Sequence, residues 1–382
     1  MSLPYEWPVE RNAKVRLKPG SQRKLLSGER QWVYRTEIER IDGDFAPGDI
    51  VQVVDAQGKF VAKGFINTRS MLTVRILSRD SEEVIDEDFW RRRIIQAWNF
   101  RRLVMPQLEA VRVVFSEADG LPGLIVDKFG DTIVVQILAL GAERWKPVIM
   151  RTLDDLFLPF DIIERNDAPL RELEGLPQIC RSVKGRADNE VVIREGNLAF
   201  RVDVMNGQKT GFFLDQRENR IAIAGLTRGA RVLDAFSYTG GFACHAAAGG
   251  AQEVVAIEIS QNAAALGQEN ARRNGLEQVI TWHVGNAFDY LRTAAANGES
   301  FDVIILDPPA FAKNRKALDN AYRGYKEINL RAMKMLNSGG ILVSSSCSQP
   351  VDAAMFETML FEAARDAGRR VRVVERRGAG RD

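Results

Sequence analysis

The residues best suited to chemistry stand at the ends of two apolar runs in the last quarter of the chain. Asp307-Pro308-Pro309 follows Phe301–Leu306, and Cys347 closes the glycine-led run Gly339–Ser346. In a parallel sheet the active site forms outside the carboxyl ends of the strands, so Asp307 and Cys347 should open on one rim. A carboxylate that grips a flat polar ring and a thiol that attacks it suit covalent chemistry on a pyrimidine. A lone cysteine at a strand end is otherwise a small buried hydrophobe, and its surroundings must decide.

Those surroundings hold a second constellation. After the strand-like Arg231–Ala235 comes Asp234-Ala235-Phe236-Ser237-Tyr238-Thr239-Gly240-Gly241, leading into a helix near Phe242. Small residues there let the main chain approach a ligand, and the helix N-terminus favours negative groups. The spacing is not Gly-x-Gly-x-x-Gly, and no phosphate-binding lysine follows, so a cofactor with an amino-acid tail fits better than a dinucleotide. Glu258 ends the next strand and is placed to accept hydrogen bonds from both ribose hydroxyls. Ser260 suits the N-cap of the following helix. Farther on, Asn286-Ala287-Phe288 offers an amide for an adenine edge and a ring that either covers the base or packs into the core.

Several kinds of element must position these residues. From about Asn206 strands and helices alternate: Arg231–Ala235, Val254–Glu258, Ile280–Val284, Phe301–Leu306 and Ile341–Ser345 each precede a helical pattern. This predicts a doubly wound, mostly parallel α/β sheet over 206–382. Residues 11–85 read as a small β-barrel, with β-rich runs Val15–Leu17, Trp32–Tyr34, Ile50–Val54 and Leu72–Leu77 between Gly- and Asp-containing turns, and Arg23–Gly28 as a short helix. Between them, 86–205 reads as a bridging α+β domain. It opens with a helix from Asp88, whose arginines Arg91–Arg93, Arg101 and Arg102 are read as a solvated face rather than a phosphate contact.

Charge and composition narrow the class. Residues 11–79 carry 14 Lys+Arg against 7 Asp+Glu, leaving −5 for the rest of a chain whose total is +2. That asymmetry suits a polyanion-facing module on a nearly neutral enzyme body, or an ordinary solvated basic surface. Cys180, Cys244 and Cys347 are widely spaced, which argues against a disulfide framework. With only His245 and His283 beside them no metal-ligand spacing appears, and Cys180, Cys244 and both histidines read as structural. There is no apolar run long enough to span a membrane and no apolar signal core, so a cytoplasmic location is expected.

The whole chain from about residue 12 resembles the S-adenosylmethionine-dependent ribosomal RNA cytosine-C5 methyltransferases of 23S RNA, in which a Rossmann-like catalytic domain follows an N-terminal PUA domain. The likeness rests on Pro47-Gly48-Asp49 and Gly64-Phe65-Ile66-Asn67 in the barrel. In the catalytic domain it rests on Asn206-Gly207-Gln208-Lys209-Thr210-Gly211-Phe212-Phe213-Leu214-Asp215-Gln216-Arg217, the glycine corner, Asp307-Pro308-Pro309-Ala310-Phe311 and Ser346-Cys347-Ser348. The resemblance implies S-adenosyl-L-methionine as cofactor. Gln208, Lys209, Thr210 and Gly211, with Asp215 and Arg217, would close over its methionine part. Asp234, Phe236, Ser237, Tyr238, Thr239, Gly240 and Gly241 would hold the amino-acid tail, Glu258 the ribose, and Asn286 with Ala287 the adenine. The family's sheet ends in a terminal strand pair, for which Val371–Glu375 is the one candidate here.

Under this reading Cys347 is the nucleophile at carbon 6 of cytosine. Asp307, which also borders the cofactor, holds the N3/N4 edge, and Pro308 and Pro309 stiffen the loop. Water and Asp307 are both open as the proton-abstracting base. Lys313, Arg315 and Lys316 meet phosphate or form a solvated loop. The partner implied is ribosomal RNA, naked or precursor 23S; no membrane is involved, and a homodimer is compatible. Two other readings stay open: an RNA base N-methyltransferase using the Asp-Pro-Pro loop without a nucleophile, and a non-catalytic RNA-binding or ribosome-assembly protein.

Overall fold

The computed structural model describes residues 10–106, 109–186, 190–312 and 314–382. Two compact units emerge. One comprises Met1–Ile193, Val202–Leu214 and Arg381–Asp382, the other Arg194–Arg201 and Asp215–Gly380.

The first unit begins with a curled half-barrel of β1 (Glu10–Leu17), β2 (Trp32–Tyr34), β3 (Ile38–Asp42), β4 (Ile50–Val54), β5 (Phe60–Ile66) and β6 (Leu72–Ser78), with the short α1 (Arg23–Leu26) after β1. The strand order is β2-β6-β5-β4-β1-β3. Only β1 and β4 run parallel. Two of the motif stretches in this region turn out to be ties. Gly64 lets β5 pass β6 where a Cβ would lie 2.2 Å from the Arg75 carbonyl oxygen. Asp49 is fully buried, accepting from the Ala46 N–H at 2.8 Å and from Arg144 at 2.6 Å.

Next come α2 (Glu87–Val104), capped by Asp86, and a second sheet. Its strands are β7 (Ala110–Phe115), β8 (Leu124–Phe129), β9 (Thr132–Ile137), β10 (Asp161–Asn166) and β11 (Ile179–Lys184), in the order β11-β10-β9-β8-β7. The parallel pair β9/β10 is joined through α3 (Leu140–Arg144) and α4 (Lys146–Phe157), and α5 (Leu170–Leu173) precedes β11. Ile50, Phe65 and Leu77 of the half-barrel share one core with Trp90, Ile94 and the second sheet. On α2, Arg91, Arg92, Arg93 and Arg101 pair with Asp155, Glu83, Glu83 and Asp119. Arg91, Arg92 and Arg102 are exposed, as a solvated face requires, but Arg101 is buried against Asp119 and serves as a structural ion pair instead. A hairpin, β12 (Val191–Glu195) and β13 (Leu198–Val202), spans residues of both units.

The second unit is the doubly wound sheet. Its strands are β14 (Arg231–Ala235), β15 (Glu253–Glu258), β16 (Ile280–Val284), β17 (Phe301–Leu306) and β18 (Leu336–Ser344), in the order β16-β15-β14-β17-β18. Every pair is parallel. Central runs such as Val-Ile-Ile-Leu in β17 are apolar without alternation, because helices cover both faces and every residue from Val303 to Leu306 is buried. The helices are α6 (Arg217–Ala224), α7 (Gly241–Ala248), α8 (Gln261–Arg273), α9 (Ala287–Ala296), α10 (Leu318–Met335) and α11 (Ala353–Asp366). Strand order reverses between β14 and β17, which opens the crevice where such sheets bind ligands.

One expected strand is absent from the sheet. Val371–Glu375 lies outside every strand, with Val374 86% exposed. Its three valines are interrupted by arginine and glutamate and meet no partner strand, and β-propensity without a packing surface does not make a strand. Among the described residues β18 is an edge of the sheet.

Candidate active site

At the end of β14 the chain makes a tight corner. Phe236, Tyr238 and Gly240 take positive φ values of 72°, 50° and 82°, two of them at residues that seldom adopt this conformation. The corner is held from below by Ser237 N–H to the Ile257 carbonyl (2.8 Å) and Gly240 N–H to the Ser237 carbonyl (2.9 Å). The buried Asn270 of α8 donates to the Thr239 carbonyl at 3.1 Å. At Gly240 a Cβ would also stand 3.1 Å from the Trp282 ring, so a side chain is excluded twice over.

Glu258 is fixed by the same corner. One carboxylate oxygen accepts from Tyr238 N–H at 2.8 Å and the other from Ser260 N–H at 2.7 Å. Each oxygen keeps a second lone pair, so two hydroxyl donors can still be served. Ser260 caps α8 as expected, accepting from Ala263 N–H at 3.3 Å. Ile259, next in sequence to Glu258, is 69% exposed. Asn286 caps α9 through its amide oxygen, which accepts from Phe288 N–H at 2.8 Å. Its amide nitrogen and the second lone pair of that oxygen are left to meet a base edge.

Beneath the corner Asp234 is fully buried, and the Ser237 hydroxyl donates to Oδ2 at 2.6 Å. Burial pushes its carboxyl up to about 7; the Ser237 bond pulls it down, while the charges of Asp307 and Glu258 push it further up. Asp234 Oδ1 and the hydroxyl of Thr239, both buried, have no hydrogen-bond partner in the protein. Buried polar atoms left unsatisfied in this way suit a ligand that brings donors and positive charge, as the ammonium of an amino-acid tail does.

The other half of the site is built by β17 and β18. Ser345 N–H bonds the Leu306 carbonyl at 2.9 Å, extending their ladder to the loops beyond. Asp307 is half-buried, and Gln216 donates its amide to Oδ1 at 2.9 Å. Asn219 in turn donates to Gln216 at 2.6 Å. Cys347 is exposed rather than buried, and its Sγ lies 3.6 Å from the Pro308 carbonyl oxygen. Pro308 is buried and Pro309 exposed. Behind the cysteine, the buried Ser348 hydroxyl accepts from Ala312 N–H at 3.1 Å and meets Tyr325 Oη at 2.9 Å. A row of rings crosses the floor: Phe236 to Phe288 at 6.1 Å, Phe288 to Phe311 at 5.5 Å, Phe311 to Tyr325 at 4.5 Å. Phe288 thus packs against the core while remaining half-exposed.

Sequence reasoning gave no role to Gln216, Ser348 or Tyr325. Gln216 and Ser348 are uncharged neighbours of Arg217 and Cys347 inside the same motifs, and Tyr325 lies mid-helix with no local signal.

The remaining expected residues have these settings. Gln208–Gly211 belong to the first unit. There Thr210 is fully buried with its hydroxyl on Asp127 at 2.5 Å, and Lys209 lies over the Phe213 ring at 4.4 Å. Asp215 is half-exposed. Arg217 is buried, 3.7 Å from Glu195, in a cluster where Arg220 grips Glu195 with two bonds of 2.6 Å and His245 lies at 2.9 Å. Arg220 and His245 hold the Glu195 carboxyl down at about 2 against the effect of burial. The Cys244 thiol is buried and pushed up to about 12, as an inert structural cysteine would be. Cys180 is exposed, as is His283, which tilts against Tyr290. Lys313 lies outside the described residues, as does the Arg315 side chain; Lys316 is exposed. Among the described residues no cluster suits a metal ion, and no helix is long and apolar enough to cross a membrane.

A parallel sheet with this corner, an acid ending its second strand and an Asp-Pro-Pro loop on its fourth defines a Rossmann-like S-adenosylmethionine-dependent methyltransferase, with S-adenosylmethionine as its cofactor. The family described as S-adenosylmethionine-dependent methyltransferase matches residues 176–380, and a PUA-like domain matches residues 15–79. Ribosomal RNA large subunit methyltransferase I of Aeromonas hydrophila is 40% identical over 369 residues, covering 95% of this chain and 93% of that protein. Its namesake from Escherichia coli is 36% identical over 368 residues, covering 95% and 93%. The solved structure of SMU.776 complexed with SAH has the same fold, with a TM-score of 0.79 at 19% identity, covering 92% of this chain and 90% of that one. The chain belongs to the family of the ribosomal RNA large subunit methyltransferases I.

Proposed function

We propose that this enzyme methylates carbon 5 of a cytosine in large-subunit ribosomal RNA through a transient bond between Cys347 and carbon 6. The observation that carries the reading is the exposed Cys347 thiol set 3.6 Å from the Pro308 carbonyl, on the loop that holds Asp307. Carbon 5 of cytosine is a poor nucleophile. Addition of the Cys347 thiolate forms the Sγ–C6 bond and moves the ring's electrons to carbon 5. Asp307, steadied by Gln216, accepts from the N4 amino group and so holds the ring edge in register with the thiolate. S-adenosylmethionine, when bound, supplies an electrophilic methyl group on a sulfonium. After transfer a base, water or Asp307, takes the carbon-5 proton; the C5–C6 double bond re-forms and Cys347 leaves as thiolate.

The chain's residues divide the cofactor between them: Asp234, Thr239 and the main chain of 236–241 for the amino-acid tail, Glu258 for the ribose, Asn286, Ala287 and Ile259 for the adenine. The roles of Gln208, Lys209, Thr210, Gly211, Asp215 and Arg217 rest on their motif alone. The buried settings of Thr210 and Arg217 make these two anchors of their segments in this reading. The target base must be unpaired or flipped, which favours naked or precursor 23S RNA over the finished ribosome. The basic PUA-like half-barrel supplies RNA affinity, and the enzyme works in the cytoplasm, as a monomer or a homodimer.

RNA carrying 5-fluorocytosine at the target tests the mechanism. Methyl transfer proceeds, but fluorine cannot leave as a proton, so enzyme and RNA should stay joined through denaturing electrophoresis. Cys347→Ala should abolish adduct and activity while retaining the cofactor. Full activity in Cys347→Ala would overturn the carbon-5 reading in favour of nitrogen methylation. Failure to bind S-adenosylmethionine at all would leave RNA binding alone.

A further inference from the structure

The loops that carry Asp307 and Cys347 meet at one buried pair of hydroxyls. Ser348 is 3% exposed and points its side chain inward while its neighbour Cys347 points out. The Ser348 hydroxyl accepts from Ala312 N–H, at the far end of the Asp-Pro-Pro loop, at 3.1 Å. On its other side stands Tyr325 Oη at 2.9 Å. Tyr325 is 1% exposed and cannot drift: Phe311 lies 4.5 Å away ring to ring, Phe356 5.6 Å, and Asn329 donates to its carbonyl at 2.8 Å. The Ser348 main chain is tied as well, its carbonyl accepting from Val351 N–H at 2.9 Å. The hydroxyl pair therefore spans three segments: the loop after β17, the loop after β18, and α10.

We propose that Ser348 and Tyr325 are positioning residues for the methyl-transfer reaction, setting the distance between the Cys347 sulfur and the base edge held by Asp307. The proposal rests on the carbon-5 reading above. Neither side chain touches the base. Each acts by fixing the loop ends, the Ala312 N–H on one side and the residue next to the nucleophile on the other. Sulfur must approach carbon 6 along one direction while Asp307 keeps the ring edge, so a small displacement of either loop is felt in the chemical step rather than in binding. A misplacement of about 1 Å costs on the order of 100-fold in rate. A purely structural serine, present only to satisfy the buried Ala312 N–H, would lower the melting temperature and leave turnover in the folded enzyme unchanged.

The test compares Ser348→Ala, Tyr325→Phe and the double variant with wild type, using unmodified and 5-fluorocytosine RNA. The expected result is a kcat lowered about 10- to 100-fold in Ser348→Ala, with the rate of adduct formation falling by the same factor. KM for RNA and the affinity for S-adenosylhomocysteine should stay within about twofold of wild type. Tyr325→Phe removes one oxygen and keeps the ring packing, so it reports even where Ser348→Ala fails to fold; its rates should fall in the same sense. Because the hydroxyls act as a pair, the double variant should be no slower than the slower single. Ser348→Thr, which keeps the hydroxyl, should recover part of the rate. Wild-type kcat and adduct rates in folded Tyr325→Phe, or strictly additive losses, would overturn the proposal. Cys347→Ala separates this from the parent reading: full activity there removes the carbon-5 mechanism, whereas an inactive Cys347→Ala beside a fully active Tyr325→Phe removes only the positioning role.

Discussion

Replacing Asp234 with Asn should make the cofactor-free protein more stable and the cofactor site worse. Asp234 is buried, and its carboxyl rises from an ordinary 3.8 to about 7. Between those values the folded protein holds a proton that the unfolded chain has lost, so stability falls as pH rises through this window. Three pH units at 1.36 kcal/mol each amount to about 4 kcal/mol by pH 8. The Asn variant is neutral throughout, so its stability should match wild type near pH 4 and exceed it by up to about 4 kcal/mol at pH 8. In the same variant the cofactor's ammonium loses its counter-charge, a loss of about 1.5–3 kcal/mol, or roughly 10- to 150-fold in affinity. Urea unfolding of both proteins at intervals from pH 4 to 8 reads the first effect, and calorimetry with S-adenosylhomocysteine the second. A stability gap that stays constant across that range would refute the argument, since it would mean that Asp234 does not titrate there.

Glu195 should behave with the opposite sign. Its carboxyl falls from an ordinary 4.5 to about 2, so its stabilising effect of about 3 kcal/mol is complete above pH 4.5 and disappears as pH falls toward 2. Glu195→Ala strands the Arg220 guanidinium and should cost about 3–5 kcal/mol in the same unfolding assay at pH 7. Glu258→Ala should weaken S-adenosylhomocysteine binding by about 1.5–3 kcal/mol per lost ribose bond, measured by calorimetry on folded protein. Lys18, Arg35 and Arg69 are exposed on the half-barrel. Replacing all three with glutamine should weaken RNA binding and lower the slope of log K against log salt by about 2, at roughly 0.7 per single-strand phosphate contact.

The catalytic sheet was legible because its strands are continuous apolar runs that end in chemistry. Arg231–Ala235, Ile280–Val284 and Phe301–Leu306 match the structure residue for residue. Strand β5 was harder to read. Phe60–Ile66 carries Lys63 and Gly64 amid its apolar residues, and its alternation breaks because all but Phe60 are buried, Phe65 in the core shared with α2 and Val61, Ala62 and Ile66 in the half-barrel's own core. Val371–Glu375 shows the converse failure, where residues with β-propensity find no neighbouring strand. At the site, strand-end residues were visible because their position in a parallel sheet is implied by order alone. Gln216 and Tyr325 act across gaps of 91 and 23 residues, and no local pattern marks a hydrogen bond that tertiary packing creates. Asn286 follows β16 as its place in the sequence implies, and its amide oxygen caps its own helix.

The left-handed backbone at Phe236 and Tyr238 has a thermodynamic consequence for ligand entry. Each such residue costs about 1–3 kcal/mol, a cost already met during folding by Asn270, the Ile257 carbonyl and Glu258. The corner is a finished mould before any ligand arrives, so binding orders little main chain there. Association should accordingly carry a small conformational-entropy penalty and a heat-capacity change set by the apolar surface of the ligand itself rather than by coupled folding.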